Sequence, residues 1–414
     1  MWRALTRLFV GIGLTQCALF VSGLLIARLL GPLGRGQIAS AMLVVTLASF
    51  VIANSGSSLV NLHVSRGANV LATSSNAMQA MLPISLVVCT AAALVLGWAG
   101  MPPVVVVGGG VSSFLFAVIP VQMGVLAGCR RYASTALLQF LPPGLYSLVL
   151  GVLLILRTFT VETVMYAWYL SALVGAIVGY LLVKAASSRV SPSSVRVRSA
   201  SSIRRRGLRG LLSLHSPLES FRLDQLLVVS LGSNSALGYY VAGLSLANLP
   251  KLLGQVLATV VPARLSSSPG AVKSVVAAVL APFVGGLLIA PLAPWAITLL
   301  FGGQFNDVRV VAALLCVAGG AMGSRKVLNE VLRFKGQDGI AAKTELAVSV
   351  VYLLLVVLTY RVWGLLGAAT ALLIASLGSA ALGGLFARRA YRSKGAATEA
   401  GGNGLALIWS ARRG

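Results

Sequence analysis

Glu219, Arg222 and Asp224 share the stretch Ser216-Pro217-Leu218-Glu219-Ser220-Phe221-Arg222-Leu223-Asp224-Gln225-Leu226-Leu227, which is flanked by long apolar runs. Ionisable groups in such a setting are costly unless they pair or work on a ligand. On a helix Glu219 and Arg222 stand at i,i+3 and can neutralise each other. Asp224 points roughly 200° away from Arg222 at 3.6 residues per turn, so it needs another partner or a proton. Counted from the turn near Ser235, Lys251 on the next antiparallel run is level with Glu219, and Asn248 lies near Arg222. Two chemistries fit. Either Arg222 and Lys251 hold an anionic head group while Glu219 and Asp224 serve ion coupling or gating, or the charges form a neutralised staple between two helices. Arg28 and Arg35 flank the first turn. They are either further ligands, since guanidinium forks match phosphate oxygens, or residues that snorkel to the membrane surface.

The elements that position these residues follow from composition. Hydrophobic residues are 57% of the 414, charged residues only 10%, and mean hydropathy is +0.92. Soluble domains carry about a quarter charged residues, so this is a polytopic membrane protein. The net charge of +25 falls between apolar runs, which argues for a topogenic role and against nucleic acid as a partner. Cys17, Cys89, Cys129 and Cys316 are single, and His63 and His215 have no nearby ligand partners, so neither disulfide nor metal is expected. The apolar run to Leu30 is too long for a signal peptide and reads as the first span.

About twelve runs of roughly 20 residues meet the length a bilayer requires. An all-α fold of about 12 transmembrane helices in two pseudo-symmetric six-helix lobes around a central cavity is expected. The N-terminal lobe would cover 1–184, a basic Ser/Arg-rich cytoplasmic linker 185–209, the C-terminal lobe 210–390 and a polar tail 391–414. Most Lys and Arg, among them Arg130, Arg131, Arg325, Lys326, Arg388 and Arg389, fall on one side if both termini are cytoplasmic. Pro217 either opens a helix after a Ser216 N-cap or kinks a longer helix that starts near Leu208. The longer helix is favoured, because 217–231 alone is short for a span. Pro282, Pro291 and Pro294 predict a bent ninth span. Gly175-x-x-x-Gly179 reads as intramolecular helix packing. Trp98, Trp295, Trp363, Tyr239 and Tyr240 stand near span ends, as interface anchors do.

The first hairpin turn, Leu30-Gly31-Pro32-Leu33-Gly34-Arg35-Gly36, has a counterpart in Leu231-Gly232-Ser233-Asn234-Ser235-Ala236-Leu237-Gly238. Each is Leu-Gly, a short turn, then Gly opening an apolar helix, as in transporters built from parallel repeats. With Ala27-Arg28-Leu29-Leu30-Gly31-Pro32, Arg222-Leu223-Asp224-Gln225, Leu300-Phe301-Gly302-Gly303-Gln304-Phe305 and Trp363-Gly364-Leu365-Leu366-Gly367, the chain resembles the polysaccharide branch of the multidrug/oligosaccharidyl-lipid/polysaccharide (MOP) exporter superfamily. That resemblance implies two six-helix lobes and alternating access for lipid-linked glycans.

No nucleotide-binding loop, metal-ligand cluster or Ser/His/Asp set is present, so a transporter is expected and not an enzyme, with no cofactor. No Asp or Glu precedes Glu162. Cation-coupled drug exporters of the superfamily typically carry a carboxylate in the N-terminal lobe, and this lobe offers arginine. The expected cargo is a polyprenyl-pyrophosphate-linked oligosaccharide crossing the bacterial inner membrane. Membrane lipids and glycosyltransferase or polymerase partners are also expected. Cation-coupled drug export and a non-transporting scaffold for glycan assembly are the alternatives.

Overall fold

The computed structural model describes residues 2–57, 60–188, 199–205, 216–265, 271–334 and 337–400. Helix α1 runs from Trp2 to Ser57 and reverses at Gly31, whose φ of 68° and ψ of −172° suit glycine alone. Its two arms, 2–30 and 32–57, are the first two spans. The N-terminal half continues with α2 (Val60–Ser65), α3 (Val70–Trp98), α4 (Pro103–Gly128), α5 (Tyr132–Ile155) and α6 (Val161–Ser187). Local signals start several of these. The Asn69 side chain accepts from the Ala72 N–H, Pro103 opens α4, and Thr160 and Thr163 form a capping box on α6.

The second half begins with two short pieces, α7 (Pro217–Ser220) and α8 (Leu223–Leu231). Ser216 is extended, so the helix starts at Pro217, and the backbone breaks at Arg222. A continuous helix running through Pro217 is therefore overturned. Next come α9 (Asn234–Leu265), α10 (Ala271–Ile289) and α11 (Ala293–Phe301), the last two meeting at 66° where the ninth span was expected to bend. A 3₁₀ turn, Gly303–Val308, leads to α12 (Arg309–Phe334), α13 (Asp338–Trp363) and α14 (Leu365–Ala400). No strand occurs among the described residues. Among the described residues ten candidate spans are long and apolar enough to cross a membrane if the bent pair counts once. Dividing α1 at Gly31 and adding the broken span 217–231 gives twelve.

Two lobes follow from the buried clusters. Two of them draw only on residues 26–186, and the other two on 218–387 with Ala27 as the exception. Apolar side chains such as Leu86, Leu94, Leu148, Leu288 and Leu354 point outward, as they must when lipid is the solvent. Trp98, Trp295 and Trp363 are exposed at helix ends, as interface anchors should be. Tyr240 is not one: it is fully buried, because its hydroxyl is drawn to Asp224. Gly175 and Gly179 pack against Pro142 and Gln122 inside the lobe.

The lobes touch at the two glycine turns. A Cβ on Gly36 would stand 1.6 Å from the Asn234 carbonyl oxygen, and one on Gly238 would stand 1.9 Å from that of Pro32. The contact is reciprocal: each turn offers a carbonyl to the glycine four residues along the other. A pseudo-twofold relation between the repeats produces this pairing, and only glycine lets the backbones come so close.

The linker and tail expectations fall largely outside the described residues. Residues 199–205 are described and 200–205 are helical, while α14 continues to Ala400 where a tail from 391 was expected.

Candidate functional site

A cavity of about 900 Å³ opens between the lobes. Both arms of α1 wall it on one side with Gln16, Phe50 and Asn54, and Tyr146 and Trp168 add aromatic surface. From the other lobe come Gln225 and Asn248. Among the described residues the charged ones lining it are Arg35 and Arg222, one from each lobe, with no Asp, Glu or Lys. A cavity mostly apolar, with a few convergent polar groups, is the usual form of a ligand site.

Arg222 reaches that wall because the span breaks under it. Its φ of 44° and ψ of 48° put it in the left-handed region, where side chains other than Asn and Asp are uncommon. The break ends α7 and leaves Arg222 at the N-terminus of α8, exposed to the cavity. A discontinuous span whose half-helix N-terminus faces a cavity favours an anion there.

Arg35 is almost fully buried, at 4% exposed. Its guanidinium donates to the Gly23 carbonyl in its own lobe, and across the interface to the Val241 carbonyl at 3.2 Å and to Ser245 Oγ at 2.9 Å. It also sits over the Phe301 ring, 5.2 Å from the centroid. Arg28 does not line the cavity. It donates from Nε to the Leu300 carbonyl at 2.6 Å and from Nη2 to the Leu299 carbonyl. The free carbonyl end of α11 is a natural seat for a cation.

The expected Glu219–Arg222 pair does not form, because the left-handed turn at Arg222 removes the helical spacing the pair needs. Glu219 instead meets Lys251 Nζ at 3.6 Å, Arg325 Nη2 at 3.0 Å and Lys326 Nζ at 2.8 Å. Lys251 is thus level with Glu219, faces it, and is absent from the cavity lining. Arg325, 1% exposed, also pairs through Nε with Glu345 at 3.1 Å, and Asn329 donates to Glu345. Arg325 and Lys326 lie inside α12 and not in the connection that follows it. Val327, Leu328, Val331 and Leu332 carry a buried helical face beyond them, and that periodicity is the signal that could have placed them inside α12. Asp224 accepts from the Tyr240 hydroxyl at 3.4 Å.

Among the described residues no group of three His, Cys, Asp or Glu side chains could hold a metal ion, and the four cysteines are free.

The site is thus a two-lobed, twelve-span bundle with a cationic cavity at the lobe boundary. No protein-family profile and no curated relative matches the sequence. Solved structures do. An inward-facing multidrug resistance MATE family transporter of the MOP superfamily matches with a TM-score of 0.68 at 15% identity, over 92% of this chain and 95% of that one. An outward-facing structure of such a transporter matches with 0.64 at 17% identity, over 94% and 96%. A eukaryotic MATE transporter matches with 0.63 at 17% identity, over 94% and 98%. At these identities the likeness defines the fold alone: this chain has the fold of MATE transporters.

Proposed function

We propose that this protein is a flippase that carries a polyprenyl-pyrophosphate-linked oligosaccharide across the bacterial inner membrane by alternating access. Both termini would be cytoplasmic. The observation that carries the reading is the cavity, which among the described residues is lined by two arginines from opposite lobes and no carboxylate. A doubly basic, low-dielectric pocket favours a pyrophosphate over a cationic drug, because guanidinium groups bind phosphate oxygens in bidentate fashion. Aromatic walls from Phe50, Tyr146 and Trp168 suit the faces of the first sugars, while the lipid tail would remain in the bilayer. The fold is compatible with alternating access, since inward-facing and outward-facing transporter structures both resemble it.

The test is made in cells lacking the protein. Lipid-linked glycan should accumulate on the cytoplasmic leaflet, and the Arg222→Ala variant should restore export at least about ten-fold less well than the wild type. Normal export by Arg222→Ala at normal protein level would remove Arg222 from the site. Efflux of cationic dyes that collapses with the proton or sodium gradient would instead establish drug export.

A further inference from the structure

We infer that Arg35 couples cargo to opening: one guanidinium serves both as a ligand in the cavity and as the tie that closes the lobes at the Gly31 end. The inference rests on the anionic-cargo reading for its trigger. The tie itself stands on contacts within the protein.

Arg35 starts on the second arm of α1 and ends on the other lobe. Its bonds to Val241 and Ser245 on α9, and its position over Phe301 at the end of α11, all cross the interface. Gly23 makes room for it, since a Cβ there would stand 3.3 Å from both terminal guanidinium nitrogens. Just above, Gly36 touches the Asn234 backbone, so the tie and the glycine crossing lie one residue apart on the same arm.

The acceptors that hold Arg35 are all neutral. Among the described residues no carboxylate pairs with it, and its buried Nε–H has no partner. A buried cation satisfied only by carbonyls, a hydroxyl and a ring is better served by a dianion, which supplies the full opposite charge that neutral acceptors lack. Arg35 also lines the cavity, so an anion bound there competes directly for its donors. The Nη2 donors are the ones that cross, so turning them toward the anion releases Val241 and Ser245 of the second lobe. The closed Gly31 end then loses its most buried polar tie when the cavity fills, and a ligand that binds the open state better shifts the population toward it.

The test measures the width of the Gly31 end. Spin labels at Leu156→Cys and Val362→Cys, exposed sites beside Gly31-end turns of opposite lobes, report it by pulsed electron resonance in a cysteine-free background. Arg35→Gln should raise the open-to-closed ratio about ten-fold without any ligand, as expected for losing charge-assisted bonds. Ser245→Ala, which removes one acceptor and leaves the fold alone, should give a smaller shift in the same direction. Inorganic pyrophosphate should open the wild type and leave Arg35→Gln unchanged. If neither variant moves the distances, the tie is refuted whatever pyrophosphate does. If both variants open the end and pyrophosphate does nothing to the wild type, the tie stands and its anionic trigger, with the cargo reading, falls.

Discussion

Glu219 is the anion on which a buried network depends. Three cations converge on it, and Arg325 among them has almost no solvent contact. Removing one partner of a buried ion pair strands the others, at about 3–5 kcal/mol when all are dry. Lys251 and Lys326 keep about a quarter of their surface exposed, so their share is screened and the total falls toward the low end. Glu219→Gln should therefore lower stability by about 2–3 kcal/mol, and Lys326→Ala by well under half of that. Thermal unfolding of the detergent-solubilised protein measures both, and equal losses would show that Glu219 is not the centre. Arg222 offers the opposite case, strain kept for a site. Glycine relieves a left-handed backbone, so Arg222→Gly should keep or gain about 1 kcal/mol of stability. The same variant should weaken pyrophosphate binding at least about ten-fold in calorimetric titration. A variant that lost stability and kept its affinity would contradict both halves of that expectation.

At the scale of elements, the reciprocal contact between the two glycine turns decides how closely the lobes meet. The obstruction a Cβ would meet is backbone on both sides, so no side-chain rotation relieves it. Neither glycine belongs to a lobe's buried apolar cluster. Gly36→Ala and Gly238→Ala should thus wedge the Gly31 end open and leave each lobe folded. The label pair 156/362 should lengthen while the melting temperature changes by only a few degrees. Unchanged distances would mean that the turns slide past each other. These turns were legible in the sequence, because a Leu-Gly…Gly repeat is a local pattern. The spans were legible too, since the length of an apolar run is a one-dimensional property. The proline bend between α10 and α11 belongs to the same class. Lys251 was placed level with Glu219 by counting from a hairpin turn, which works wherever two spans are antiparallel neighbours. What needed a contact remote in sequence was the seating of Arg28 on α11, whereas the missed Arg325–Glu345 and Tyr240–Asp224 contacts each cross a single hairpin turn. The left-handed turn at Arg222 was also hidden, because nothing in an arginine announces a positive φ.

The whole molecule contributes a field that neither lobe makes alone. Each supplies one arginine to a shared cavity, while Glu219 and Glu345 are paired with lysine and arginine and Asp224 accepts from Tyr240. Among the described residues the lining therefore carries two arginines and no acid. Asn248, exposed on the α9 wall, is a place to alter that field without disturbing a hydrogen bond or the packing of either lobe. A unit charge about 8 Å from a bound anion contributes roughly 2 kcal/mol at an effective dielectric near 20, more than ten-fold in affinity. Asn248→Asp should weaken pyrophosphate binding by about that factor, and Asn248→Lys should strengthen it similarly. Both effects should shrink only modestly as salt rises, because a buried site is screened less than a surface patch. Two results separate a field from a single contact. Opposite shifts of similar size in the two variants identify the summed charge of both lobes as the determinant. Equal losses in both would show that Asn248 itself holds the ligand through its amide, and no change in either would place the anion elsewhere in the molecule.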